Sequence, residues 1–229
     1  MNKQRGFTLI EIAIVLVIIG LLLGGVLKGQ ELITSARVRN LISQQDGIKA
    51  AYFGFLDRFR ALPGDYVNAT TNIAGSTVNG NGNGQIEAAA TTLAPTAPNA
   101  NEDIAVWEHL SRSGFITGAY TSAATYSAAS AMSNPYGAYL MLRYANTYAD
   151  SAVAPAVAAT RHILTTGNQI PADLLAEIDR KVDDGAPTTG SFRFTTTFAT
   201  GVAPSATCAA ATWLVTGSID GNCAGATLF

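Results

Sequence analysis

The sequence predicts an α+β protein in which one very long N-terminal helix is followed by an antiparallel β-sheet laid against the second half of that helix. Three observations carry this reading. Residues 7–62 contain no proline, and their pattern passes from wholly apolar to amphipathic without a breaker. Strand candidates appear only after about residue 138, the last of them with a two-residue alternation. Helix first and strands later is the order of an α+β chain, with the sheet packed on one side by helix.

The first element is the apolar stretch from Phe7 to Leu27, preceded by the basic residues Lys3 and Arg5. A cleaved secretory signal has a shorter apolar core, of about 7–15 residues, followed by a small-residue cleavage site; this core is too long and no such site follows. A membrane-spanning helix needs about 20 apolar residues, and the basic start places its N-terminus on the cytoplasmic side. Glu11 does not fit a plain anchor, because an acid at the bilayer centre costs about 2.5–3.5 kcal/mol. At 1.5 Å per residue it lies only ~6 Å below Phe7, where the cost is smaller and the helix dipole favours a carboxylate.

Lys3-Gln-Arg-Gly6 followed by Phe7-Thr-Leu-Ile-Glu11 and an unbroken apolar run resembles the class III signal of type IV pilins and type II secretion pseudopilins. The resemblance implies a leader of residues 1–6, cut between Gly6 and Phe7 by a prepilin peptidase, with N-methylation of Phe7. It also implies a type IV pilin-like fold, and a role for Glu11 in pairing with the terminal amine of a neighbouring subunit. Such an ion pair inside an apolar bundle penalises wrong registers, because an unpaired buried charge costs several kcal/mol. The implied partners are copies of the chain itself or filament co-subunits, the prepilin peptidase, and an assembly ATPase with its platform protein. The implied location is the inner membrane with a periplasmic head, then a surface pilus or periplasmic pseudopilus. One departure is that Lys28 stands where many pilins have a kink-forming proline.

Residues 7–27 are thus expected to form the membrane or filament-core half of the helix and residues 28–62 its amphipathic half, with residues 63–229 as the globular head. Gly20, Gly24 and Gly25 permit close packing of neighbouring helices or mark a weaker stretch of helix. Beyond Lys28, Val38, Leu41, Gln45, Ile48, Tyr52, Phe55, Phe59 and Leu62 follow steps of three and four and form one stripe, polar only at Gln45. Leu62-Pro63-Gly64-Asp65 is expected to stop the helix.

Residues 66–101 read as a long polar connection. A second helix is expected from about Glu102 to Ser113, with Ile104, Trp107 and Leu110 inward, His109 on the surface and Gly114 closing it. Strands are expected at Ala138–Tyr144, Arg161–Thr165 and Ser191–Phe198, the last with Phe192, Phe194 and Thr196 on one face. His162 falls within the second of these. A short helix starts at Pro171 with Leu174, Leu175, Ile178 and Val182 on one side, and Trp213-Leu214-Val215 suggests a further strand.

The chain has 229 residues, 48% of them hydrophobic and only 13% charged, about half the usual charged share. A surface of small polar side chains favours self-association, and a net charge of −2 with no basic face argues against a nucleic-acid partner. In an oxidising compartment Cys208 and Cys223 are expected to pair. Asn79-Gly-Asn-Gly-Asn-Gly-Gln-Ile-Glu87 resembles the front of a calcium loop, yet its ligand positions are neutral, Ala90 stands at the closing position, and Glu87 supplies the single carboxylate; the other reading is a flexible Asn-Gly turn. Asp183-Asp184, with Asp179 upstream, is a second calcium candidate, on the analogy of pseudopilins with a late calcium loop. No cofactor is expected otherwise. No nucleophile, Walker loop or zinc spacing accompanies the two histidines, so an enzyme is not expected.

The expected function is that of a structural subunit that polymerises into a type IV pilus or related filament. Within the family the alternatives are a type II secretion pseudopilin or a minor tip pilin. From another class, the alternative is a monomeric, membrane-anchored periplasmic binding protein.

Overall fold

The computed structural model describes residues 9–87, 101–150, 158–216 and 220–229. The chain divides into two compact units, Met1–Arg39 and Asn40–Phe229, and helix α1, Leu9–Phe59, contributes to both. In the first unit its apolar side chains from Leu9 to Ile33 point outward, Leu9 being 89% exposed. The helix runs unbroken through Gly20, Gly24 and Gly25, and a Cβ added at any of these would meet nothing within 4 Å. Lys28 forms an ion pair at 2.7 Å with Glu31 on the next turn.

α1 ends a few residues before the proline. Arg60 takes a left-handed backbone, with φ 54°, and its N–H donates to the Leu56 carbonyl at 2.9 Å, the αL cap that often closes a helix. Leu62 therefore lies beyond the helix rather than in its last turn.

In the second unit the rest of the chain adds α2 (Ala69–Asn72), α3 (Glu102–Arg112), α4 (Ala172–Val182), and strands β1 (Leu142–Ala145), β2 (Arg161–Thr165), β3 (Phe192–Phe194) and β4 (Gly225–Leu228). All neighbouring strands are antiparallel, in the order β1-β2-β4-β3. The second half of α1 lies on this sheet. Leu41, Ile48, Tyr52 and Phe55 of the stripe are buried, and Ile48, Tyr52 and Phe55 share a core with Trp107, Leu110, Leu142 and Leu164. Gln45, the polar member, donates Nε2–H to the Thr165 carbonyl of β2 at 3.3 Å and accepts from the Thr227 hydroxyl of β4 at 3.2 Å. A buried amide here is satisfied by two strands at once.

Several elements differ from expectation. Met141 bonds Thr165 of β2 just before β1 begins, but Ala138 to Leu140 do not join the sheet. Instead Tyr139 bridges Ser133 and Leu140 N–H donates to the Met132 carbonyl, so a local turn takes those groups. The third strand shortens to Phe192–Phe194, and Thr196 is exposed while Thr195 is buried, because Thr195 turns aside to bridge Tyr148. Val182, the last residue of α4, is 42% exposed. Trp213 makes a single bridge, to Ala209, rather than a strand. The fourth strand, β4, is short and built from Gly, Ala, Thr and Leu, without an alternating pattern. Gly225 lets it lie against Phe192, whose ring would be 2.3 Å from any Cβ there.

Candidate functional site

Two regions bear on function: the N-terminal half of α1, and a network of buried carboxylates around α3. Gly6 and Phe7, the expected cleavage and methylation positions, lie outside the described residues. Glu11 sits in the first turn of α1 with its side chain exposed, where a carboxylate complements the helix dipole. Around it runs the apolar surface described above. By length and composition this is a helix able to cross a membrane.

α3 is buried on every side, and the reason lies in what precedes it. Besides Ile104, Trp107 and Leu110, its buried residues include Glu102, Asp103, Glu108 and His109. The chain from Gly64 to Glu87 folds over the polar face of α3 and supplies a donor or acceptor to three of these four side chains. Glu102 accepts from the N–H groups of Asn81 at 2.9 Å and Glu87 at 3.2 Å. Glu108 accepts from Thr77, through both its amide and its hydroxyl, and from the Ser122 amide. His109 is fully buried, not on the helix surface as expected. Its Nδ1 accepts from Gly64 N–H at 2.9 Å, so Nε2 carries the proton and donates to the Val78 carbonyl at 3.0 Å. Desolvation holds this imidazole below its ordinary pKa, and so neutral.

The Asn-Gly segment belongs to the same network. Asp65, itself buried, accepts from three successive amides: Gly82 at 2.6 Å and Asn83 at 3.0 Å through Oδ1, and Gly84 at 2.9 Å through Oδ2. The loop thus forms a nest of N–H groups around an internal anion. Asn81 and Asn83 turn their Oδ1 atoms onto the amides two residues ahead, at 2.9 and 2.8 Å. Their Nδ2 groups donate to Glu87 Oε2 at 3.2 and 3.0 Å. These oxygens are used as acceptors within the loop rather than aimed at a common point.

Three carboxylates therefore face one another, and burial raises the pKa of two of them. Glu102 is pushed up to about 7, first by desolvation and then by the charges of Asp65 and Glu87, against the two amides that lower it. Asp65 is raised by desolvation against its three amides, with Glu87 adding to the rise. Asp103 is pushed up to about 6 by burial, offset in part by the nearby Arg143.

Asp179, Asp183 and Asp184 offer carboxylate oxygens within 4.8 Å of one another. Asp183 accepts from the amides of Ser191 and Phe192. Asp184 accepts from the Ala186 amide and the Thr189 hydroxyl, and Asp179 from Trp213 Nε1–H at 2.7 Å. The hydroxyl of Thr189 holds Asp184 below the usual carboxylate range. As built, the cluster ties the 183–192 turn to α4 and Trp213. Cys208 and Cys223 are joined by a disulfide across a separation of 15 residues.

Reading α3 as an amphipathic helix missed Glu102, Glu108 and His109, and Asp65 was legible only as part of a helix stop. The available signal was the pairing of a charged helix with an unusually long Asn- and Gly-rich approach.

Residues 1–27 match the family model described as the prokaryotic N-terminal methylation motif, the prepilin-type cleavage and methylation signal of type IV pilins and pseudopilins. With its long N-terminal helix and four-stranded antiparallel sheet, the chain has an α+β, pilin-like fold. The signal and the apolar helix together fit a protein anchored in the inner membrane. No curated protein and no solved structure matches the chain.

Proposed function

We propose that this protein is a structural subunit of a type IV pilus or related filament. The observation that carries the proposal is the combination of a prepilin-type motif at residues 1–27 with a 51-residue helix whose apolar first half turns its side chains outward. Such a surface is stable in lipid, and equally stable against copies of itself in a helical bundle. The prepilin peptidase removes residues 1–6 and methylates Phe7. Once cleaved, the new ammonium at Phe7 and the Glu11 carboxylate of a neighbouring subunit neutralise each other in the filament core and set its register. The assembly ATPase and platform protein drive the transfer from membrane to filament, and the Asn40–Phe229 unit faces the periplasm and then the filament exterior. Calcium at Asp183 and Asp184 belongs to this proposal only as a secondary feature, tested by a melting-temperature rise that the paired Asn variants abolish.

The test is to shear and purify surface filaments and identify their main subunit. Recovery of this chain as the principal component supports the pilin reading. Its absence from filaments, with retention in the periplasm as a secretion-dependent assembly, gives the pseudopilin instead. Glu11→Ala and Glu11→Val are expected to be inserted and processed but scarcely incorporated. Normal incorporation of both would sink the register argument.

A further inference from the structure

Asparagine followed by glycine occurs three times in the chain, and the three pairs are consecutive: Asn79-Gly80, Asn81-Gly82 and Asn83-Gly84. Asparagine is among the thermolabile residues, and glycine after it leaves the following amide nitrogen open to the carboxamide. We propose that Asn81 and Asn83 form a latent self-modification site for deamidation, which Asp65 keeps shut by holding the peptide planes that must turn for the reaction to start.

In the reaction the main-chain nitrogen of the glycine attacks Cγ of the asparagine. The N–Cγ bond forms, the Cγ–Nδ2 bond breaks, and the displaced nitrogen leaves as ammonia with the amide proton. Water then opens the cyclic imide at either carbonyl, giving aspartate or isoaspartate. Water is the sole co-reactant.

Ring closure requires the glycine amide to rotate toward its neighbour's carboxamide. Gly82 N–H is held by the Asp65 carbonyl at 3.0 Å and by Oδ1 at 2.6 Å, and Gly84 N–H by Oδ2 at 2.9 Å. The carboxamides are held as well, by Asn83 N–H and Gln85 N–H at one end and Glu87 at the other. The first pair is closed in a different way. Gly80 is buried, and its N–H donates to the Tyr66 carbonyl, a main-chain acceptor that does not involve the Asp65 side chain. Asn81 to Gly84, in contrast, are exposed to water. The Asp65 carboxylate is the side-chain acceptor shared by both glycine amides. The first aspartate formed adds a negative charge beside Asp65 and Glu87, which loosens the grip on the second pair.

The test uses the full chain in detergent, incubated at neutral to mildly alkaline pH, digested, and read by mass spectrometry of the peptide spanning residues 79–84. Wild type is compared folded and in denaturant, beside Asp65→Ala and Asp65→Asn, with tryptophan fluorescence reporting whether each variant is folded. Folded wild type should deamidate slowly, and Asp65→Ala about tenfold faster or more, each tenfold being about 1.4 kcal/mol of lost protection. Asp65→Asn, which keeps the shape and one acceptor, should fall between them. Adding Asn81→Ser and Asn83→Ser to Asp65→Ala should remove the signal. The proposal is overturned if folded wild type reacts as fast as denatured chain, or if a folded Asp65 variant reacts no faster than wild type. A slower reaction in that variant also overturns it, by making Asp65 an assisting base. If Asp65→Ala does not fold, Asp65→Asn decides; if neither folds, hydrogen exchange at Gly82 and Gly84 in wild type does, fast exchange refuting the gate.

Discussion

Replacing Glu102 by Gln tests the buried carboxylate network through pH. Glu102 rises from 4.5 to about 7 on folding, a difference worth roughly 3 kcal/mol between its two protonation states. Its folded pKa lies above its unfolded one, so the folded state binds the extra proton between these values. The resulting stability is fully present below pH 4.5 and is lost as pH rises through about 7. Other groups in the unit contribute slopes of their own. Asp103 and Asp65 act in the same sense as Glu102. His109 and His162, both lowered by burial, act in the opposite sense, losing stability as pH falls below their ordinary 6.5. The informative quantity is therefore the stability difference between wild type and Glu102→Gln, measured as a function of pH. In the variant one of the two amides now bonded to Glu102 loses an acceptor, an approximately pH-independent cost of about 1–3 kcal/mol. On top of that offset, the difference should move by roughly 3 kcal/mol in favour of the variant from acid to mildly alkaline pH. Urea unfolding of the full chain in detergent, followed by the fluorescence of the buried Trp107, reads it directly. Parallel pH profiles for the two proteins would refute the reasoning.

Other perturbations probe the remaining contacts. Phe55→Ala removes a fully buried ring from the core shared by α1, α3 and the sheet, and should cost about 3–5 kcal/mol in the same unfolding assay. Gln45→Ala leaves the Thr165 carbonyl and the Thr227 hydroxyl without their partner, an expected loss of about 1–3 kcal/mol. Replacing Cys208 and Cys223 together by Ser opens a closure of 15 residues and should lower stability by about 3 kcal/mol, seen as a lower urea midpoint that reductant reproduces in the wild type.

The features legible in the sequence were those with a strong period or a hard stop. α1 showed itself by its length and its stripe. β2 showed itself as the short run Arg161–Thr165, β3 by the alternation of Phe192 and Phe194, α4 by a proline start, and α3 by Ile104, Trp107 and Leu110. β4 was not legible, because Gly225-Ala-Thr-Leu228 is a strand for its neighbours' sake. It is held between β2 and β3 and has no alternating pattern of its own. His109 and Glu102 were misjudged for a related reason. Their polarity reads as exposure until the loop that satisfies them is folded in place, and pairings across 15 to 45 residues leave no periodic trace. At the N-terminus the reverse holds, since Gly6, Phe7 and Glu11 are legible through the motif and not through any fold.

The most direct measurement is the mass of the N-terminal peptide of the mature protein. The account predicts a chain that starts at Phe7 and carries one N-methyl group. A protein that keeps Met1 and its leader would contradict it, and with it the filament role proposed for Glu11.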